Sequence, residues 1–368
     1  MKRIVFAHRK LSFGGGERVL IEQVAALADL PIRISVIYRK EGAKRDIEPE
    51  LRARNPHVEE ILHLPGAWAA GRYLQKTAPD LVVLCNHKGV QRALPWLARL
   101  GHRFPLAVTL HEHYARHLDK YRGIRHLVDR WLTTWAFNSE VQARLGDQPC
   151  AMIHPIYPRP AAVPADLDAR QAARRALGLP EGGPVVGYVG QIDGRKDPLG
   201  VLRLAEATEA ALGRPLHLVF AGHEAPDTAQ ALDRALATSP LRERTLRLGR
   251  VPATGPVLDA LDAYLMTSRN EGFFPIALIE ALERGVPIVA PSVGGIGTVL
   301  KDGEGGLLMR KPDDRRPVPP ALLQATGPRL AALLGDPSQR EKAVALARGL
   351  TEGYDAAARF REALAPWL

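Results

Sequence analysis

Cysteine is almost absent from this chain. The two present in 368 residues, Cys85 and Cys150, supply neither a disulfide framework nor a cysteine cluster for a metal. Cys85 closes the apolar run Leu81–Cys85 and reads as a core residue. Long apolar runs are missing too: none reaches the ~18–20 residues that cross a bilayer. The opening, MKRIVFAHRK, has too short an apolar stretch for a signal peptide and reads as a first strand. The expectation is a cytoplasmic protein, at most peripheral on the inner face of a membrane. Low-complexity segments and short repeats are absent. The basic part of the chain lacks strands with clustered exposed aromatics, so nucleic acid is not an expected partner.

The length exceeds what one compact core accommodates and suggests two domains. A hydrophobic fraction of 46% is ordinary for a globular protein. The net charge of +10 is unevenly placed. Residues 1–165 hold 25 Lys+Arg against 15 Asp+Glu, a net of +10, whereas residues 166–368 hold 25 of each. A basic first part beside a neutral second one implies that the first meets something acidic.

Strand signals alternate with helical ones, which predicts parallel sheets covered by helices. In the first part the strands are Arg3–Ala7, Ile32–Tyr38, Leu81–Cys85, Leu106–Leu110 and a short one at Trp135–Asn138. A glycine turn, Gly14-Gly15-Gly16, follows the first strand and lets the backbone approach a ligand closely. It is not the G-x-G-x-x-G fingerprint, so a dinucleotide is not indicated. Ligands on such sheets gather at strand carboxyl ends. Asn86-His87-Lys88-Gly89 and His111-Glu112-His113-Tyr114 sit there. The H-E-H run puts neighbours on alternating sides without a third spaced ligand, so no metal is expected. Tyr114–Trp131 is dense in Arg, Lys and His with Tyr121, Leu127 and Trp131 interleaved. It reads either as a solvated helix or as an interfacial one that docks on anionic lipid.

Pro155–Pro184 is rich in Pro and Ala with a short helical piece, Leu167–Leu177. It reads as a linker, after which strand, glycine-bearing turn and helix begin again at Val185. The expected domains are 1–160, a linker over 161–182, a second domain over 183–350, and a final helix over 351–368 returning to the first.

The chemistry concentrates between Met266 and Leu308. Pro275 suits a first helical position, and the apolar residues Ile276, Leu278, Ile279 and Leu282 alternate with Glu280 and Glu283. Such a helix aims amide groups and a positive dipole end at whatever precedes Pro275, which favours an anion. Glu280 and Glu271 are acceptors suited to sugar hydroxyls. Arg195 and Lys196, in the turn Gly190-Gln191-Ile192-Asp193-Gly194-Arg195-Lys196, suit a diphosphate.

Glu271 and Glu280 flanking Gly272-Phe273-Phe274-Pro275-Ile276 resemble the paired-glutamate motif of the retaining, nucleotide-sugar-dependent glycosyltransferases of family 4. Gly15, Gly16, Glu17 and Arg18 match that family's G-G-x-E-R turn. Two departures stand out. Eight residues separate the glutamates instead of seven, which places an extra Phe in the turn, and Gln191 stands where an arginine is usual, with Arg195 as a candidate substitute. The resemblance covers nearly the whole chain. It implies a GT-B fold, α/β, with two Rossmann-like doubly wound domains facing across a cleft.

The resemblance also implies a reaction: a sugar passes from a UDP- or GDP-type nucleoside diphosphate sugar to a glycan, lipid-linked or small-metabolite acceptor, with retention. Arg195, Lys196 and the amides before Pro275 would stabilise the leaving diphosphate, with no metal or other cofactor. Glu280 would hold the ribose, Glu271 a donor-sugar hydroxyl, and His111 would steady the sugar; Arg250 and Val251 would lie beside the base. Front-side attack is the implied route to retention. A sugar-nucleotide 2-epimerase of the same fold is the alternative enzyme. A non-enzymatic basic protein binding nucleic acid or membrane is supported by charge alone.

Overall fold

Strands β1 (Lys2–His8), β2 (Ile32–Tyr38), β3 (Val58–His63), β4 (Leu81–Cys85), β5 (Leu106–Leu110), β6 (Arg130–Thr133) and β7 (Cys150–Met152) form one parallel sheet in the order β3-β2-β1-β4-β5-β6-β7. The computed structural model describes all residues except 12–14, 41–46, 111–114, 134–142, 154–163, 165, 272–273, 312–314 and 352–354. The chain divides into two compact units, Met1–Pro158 with Asp355–Leu368, and Arg159–Tyr354.

In the first unit the alternation of β1 sorts side chains to opposite faces. Ile4 and Phe6 pack with Leu20, Ile21 and Val24 of helix Gly15–Ala25, and with Phe360 and Leu364 of helix Ala356–Leu364. Val5 and Ala7 pack on the other face with Leu74, Val90, Leu94, Leu97 and Trp131. The closing segment thus contributes core to this unit, and Lys2 Nζ donates to the carbonyl of Leu368.

Two strands escape the sequence reading for the same reason. β3 carries Glu59 and Glu60 and β7 spans Cys150–Met152, and both sit at sheet edges, where charge and brevity are tolerated. The run expected to form an interfacial helix differs more. Ala115–Tyr121 and Arg125–Leu127 are 3₁₀ turns, and Trp131 lies in β6, paired opposite Val108. Tyr121, Leu127 and Trp131 are all buried, and the Trp131 indole N–H donates to Gln148 Oε1 at 2.6 Å. The aromatic residues meant for lipid therefore belong to the core. The expected strand Trp135–Asn138 lies outside the described residues.

His87, fully buried, caps helix Lys88–Arg99: its Nδ1 accepts from Val90 N at 3.1 Å. Burial pushes its pKa down to about 4. Protonation would also destroy the cap acceptor. Because the folded value lies below the unfolded one, stability is intact above about pH 6.5 and falls as pH drops toward 4, by up to about 3 kcal/mol from this group. His87→Asn keeps a cap acceptor and removes the titration. Urea unfolding between pH 7 and 4 should lose less stability in that variant than in the native chain; equal losses would remove His87 from the acid response.

In the second unit β8 (Val185–Val189), β9 (His217–Ala221), β10 (Thr245–Arg247), β11 (Ala263–Leu265), β12 (Ile288–Pro291) and β13 (Gly306–Met309) are parallel in the order β10-β9-β8-β11-β12-β13. Both sheets therefore start in the middle, wind to one edge, then return and wind to the other. Gly222, at the end of β9, has φ +150°, and a Cβ there would lie 1.7 Å from the Gly190 carbonyl. Only glycine lets these two strand ends approach so closely.

Helix Leu167–Ala176, read from sequence as part of a linker, is fastened into this unit. Arg174 is 5% exposed; it donates to the carbonyls of Ala260, Glu181 and Gly183 and to Asp262 Oδ2 at 2.7 Å. Arg170 pairs with the same Asp262, which also accepts from Val185 N at 2.8 Å. A charged, alanine-rich segment looks solvated until its carboxylate partner, 88 positions away, is known.

Candidate active site

The second sheet reverses its winding between β8 and β11, whose registers pair directly. At such a point the loops leaving adjacent strands diverge and leave a crevice at their carboxyl ends. The loop after β8 is a tight turn. Asp193 Oδ1 accepts from both Arg195 N and Lys196 N at 3.0 Å. Asp197 follows with φ +52°, and its carbonyl accepts from Thr267 Oγ1, at the end of β11, at 2.6 Å. These bonds set the directions in which Arg195 and Lys196 leave the chain.

Those directions converge on Glu271. Lys196 Nζ lies 2.5 Å from Glu271 Oε1, and Arg195 Nη1 lies 3.4 Å from Glu271 Oε2. Arg195 Nη1 also donates to the carbonyl of Asn270, and Arg269 N to the carbonyl of Arg195, so the two loops are stitched side by side. Glu271 is 6% exposed and Lys196 largely buried, whereas Arg195 is exposed. Burial lowers the Lys196 pKa, opposed by the charge of Glu271. Two cations meet the buried Glu271 carboxylate, with the Asp193 carboxylate in the same turn, and in this partly dehydrated place such fixed charges act strongly on a bound group.

Tyr188 and Tyr264 support the floor. Tyr188 Oη donates to the Gln191 carbonyl at 3.0 Å and Tyr264 Oη to the Val189 carbonyl at 2.6 Å. Gln191 itself is exposed. Burial raises both phenols' pKa values, so they stay neutral hydrogen-bond donors.

Helix Ile276–Glu283 is uninterrupted and carries Glu280 in its second turn. Its start differs by one position from the sequence reading. Pro275 has ψ 137° and precedes the first helical residue, which is Ile276; no side chain caps this end. Phe274 is buried, while Gly272 and Phe273 lie outside the described residues. Glu280, 8% exposed, accepts from Thr254 Oγ1 at 3.0 Å. Thr254 precedes helix Gly255–Ala260 in the loop that carries Arg250 and Val251, so the segment expected beside the base is tied to the glutamate expected on the ribose.

Lys196, Arg195 and Glu271 thus form one cluster, and Glu280 with the Arg250–Thr254 loop a second group. His111 lies outside the described residues. Gly15 and Gly16 open the helix after β1, and a Cβ on Gly16 would meet nothing within 4 Å. Sequence reasoning missed Lys311, which is buried and donates to the carbonyls of Arg269 and Arg316 at 2.9 and 2.5 Å, tying the loop after β13 to the one after β11. It also missed His8 at the corresponding switch of the first sheet, opposite Cys85. His8 is buried beside Glu17, and its Nε2 has no hydrogen-bond partner among the described residues. A lysine in a glycine-poor loop and a histidine at a strand end carry no local signature; the topology alone reveals them.

Residues 13–141 match the family described as Glycosyltransferase Family 4, and residues 169–316 the family described as Glycosyl transferases group 1. The chain is 32% identical over 257 residues to a 2-deoxystreptamine glucosyltransferase of Streptomyces kanamyceticus, covering 67% of this chain and 62% of that protein. It is 34% identical over 147 residues to a D-inositol 3-phosphate glycosyltransferase of Nocardia farcinica, covering 38% of this chain and 32% of that protein. The match therefore spans about a third of the one relative's length and under two thirds of the other's. In fold, it is similar to HepE of Anabaena, solved in complex with UDP, with a TM-score of 0.71 at 17% identity over 100% of this chain and 99% of that one. The chain belongs to the family 4-type glycosyltransferases of GT-B fold.

Proposed function

We propose that the chain transfers a hexose from a nucleoside diphosphate sugar, UDP- or GDP-type, to a hydroxyl-bearing acceptor with retention at the anomeric carbon. The observation that carries this reading is the convergence of Lys196 and Arg195 on Glu271 at the strand switch. Departure of a nucleoside diphosphate builds charge on its bridging oxygen, and fixed cations in a dry site stabilise that charge without reorganising. Lys196 and Arg195 take that role with the amides at the start of helix Ile276–Glu283, without a metal. Glu280 holds the ribose, Glu271 a hydroxyl of the sugar, and His111 steadies the sugar, as the family resemblance implies. Front-side attack, with the departing phosphate oxygen taking the acceptor's proton, accounts for retention.

HepE crystallised with UDP supports the uridine donor, and the inositol phosphate and deoxystreptamine named for the relatives support a small polyol among the acceptors. A glycan or lipid-linked sugar, in bacterial polysaccharide or glycolipid assembly, suits the basic first unit.

The test is a panel of UDP-, GDP- and ADP-sugars titrated calorimetrically into the native chain and Glu280→Ala, followed by NMR of the products. One nucleotide should bind, about 10–100-fold more weakly to the variant, the loss expected for a charged hydrogen bond to ribose. Equal affinity removes Glu280 from the site. Nucleoside diphosphate released without acceptor consumption, together with a product sugar inverted at C2, would establish the 2-epimerase instead, and an inverted anomeric centre would exclude retention.

A further inference from the structure

Trp68 and Trp96 are 74% and 53% exposed. They stand on two helices of the first unit, Ala67–Thr77 and Lys88–Arg99, which pack against each other. A Cβ on Gly71 would lie 3.5 Å from Ala93 Cβ and 3.9 Å from the Trp96 ring, so the Trp96 indole reaches the neighbouring helix. On the first helix Trp68, Arg72 and Lys76 recur at intervals of four, all exposed; on the second, Lys88, Arg92, Trp96 and Leu100 at its end do the same. The second stripe thus borders the first helix beside Gly71, the residue before Arg72. Neither helix contains an acidic residue, while together they carry Arg72, Lys76, Lys88, Arg92 and Arg99, every one exposed. The Arg72 guanidinium sits 5.2 Å from the Trp68 ring centroid.

A solvated helix face ordinarily mixes charges of both signs and does not leave two indoles in water. Each feature here is explained by one kind of neighbour. Indole rings settle at the level of lipid headgroups, one edge apolar and one polar, and lysine and arginine around them pair with anionic headgroups. The Arg72 guanidinium over Trp68 is a cation–π contact that keeps a charge and an indole together on this face. Among the described residues no helix is long and apolar enough to cross a bilayer, so this face would lie on the surface.

We infer that the paired face of helices Ala67–Thr77 and Lys88–Arg99 docks the first unit onto an anionic lipid bilayer through Trp68, Trp96 and the surrounding cations. This relocates the membrane contact from the Tyr114–Trp131 run, whose aromatics are buried. It places a lipid-borne acceptor beside the basic unit and so deepens the transferase reading. The docking itself involves none of the transfer residues, so either reading can fail without the other.

The test is co-sedimentation of the full chain with vesicles of phosphatidylcholine alone or with phosphatidylglycerol, at low and at physiological salt. The native chain should partition onto the anionic vesicles with a blue shift in tryptophan emission, and not onto phosphatidylcholine. Trp68→Ala with Trp96→Ala should lower the partition coefficient at least tenfold. Arg72→Gln and Arg92→Gln should each lower it roughly fivefold, and raised salt should do likewise. Nucleotide binding and the thermal transition should be unchanged in all of them, since every altered side chain is exposed. Equal binding to both vesicle types, native binding by the double tryptophan variant, or a concentration-dependent dimer abolished by that variant would each overturn the proposal.

Discussion

Lys196→Ala lowers donor-sugar turnover by about 10²–10³-fold, the range measured when a fixed donor to a developing charge is removed. The expectation rests on where the ammonium is held. It is largely buried, 2.5 Å from a glutamate that is itself buried, on a turn whose direction Asp193 sets. On the proposed reading the ammonium, already fixed by Glu271, stabilises charge that develops on the departing diphosphate, and its loss should appear in kcat more than in KM. Lys196→Arg should rescue little, because a planar fork does not fit a place shaped for a point charge and already shared with the Arg195 guanidinium. A strong fall in kcat, with a smaller loss of nucleoside diphosphate affinity and an unchanged thermal transition, is the expected signature. Turnover within a few-fold of native would remove Lys196 from the phosphate site.

The second large effect concerns stability. Asp262 neutralises Arg170 and Arg174, lies 3.7 Å from Arg340, and accepts the amide of Val185 at the start of β8. Burial and the neighbouring Arg170 already hold the Arg340 pKa down to about 10. Asp262→Ala strands a buried guanidinium beside two others, and loss of one partner of a buried pair costs about 3–5 kcal/mol. The chain offers a convenient readout, because all five tryptophans fall in the segments of the first unit. Tryptophan fluorescence therefore follows the first unit, and far-ultraviolet circular dichroism follows both. The urea midpoint by dichroism should fall for this variant. If fluorescence falls with it, the units unfold together; if fluorescence holds, they unfold separately. A midpoint unmoved in both signals would contradict the role given to Asp262.

Much of this was readable from the chain because periodicity and composition coincide in central parallel strands. Leu81–Cys85 and Leu106–Leu110, buried on both faces, are continuous apolar runs and were found at their observed bounds. Glu280 and Lys196 stand out in the chain through spacing relative to a proline and a strand end, and what they bind is the proposal made above. What escaped depends on contacts distant in sequence. Nothing near Arg174 announces Asp262, and nothing near Arg269 announces Lys311. The run Tyr114–Trp131 misled for a physical reason: basic residues with interleaved aromatics look alike whether the rings turn inward or outward. Trp131 turned inward because it falls in a strand between β5 and β7. Trp68 and Trp96 carry no local signal of exposure, since a single tryptophan on an amphipathic helix is usually core.

The carboxylate of Glu271 already engages both cations, one oxygen to each. On the proposed donor binding, an incoming diphosphate would have to compete with this internal anion for the same two partners. If the transfer proceeds as proposed, Glu271 would reclaim the cations as the nucleotide leaves, and inhibition by added nucleoside diphosphate should be weaker than two unpaired cations would produce.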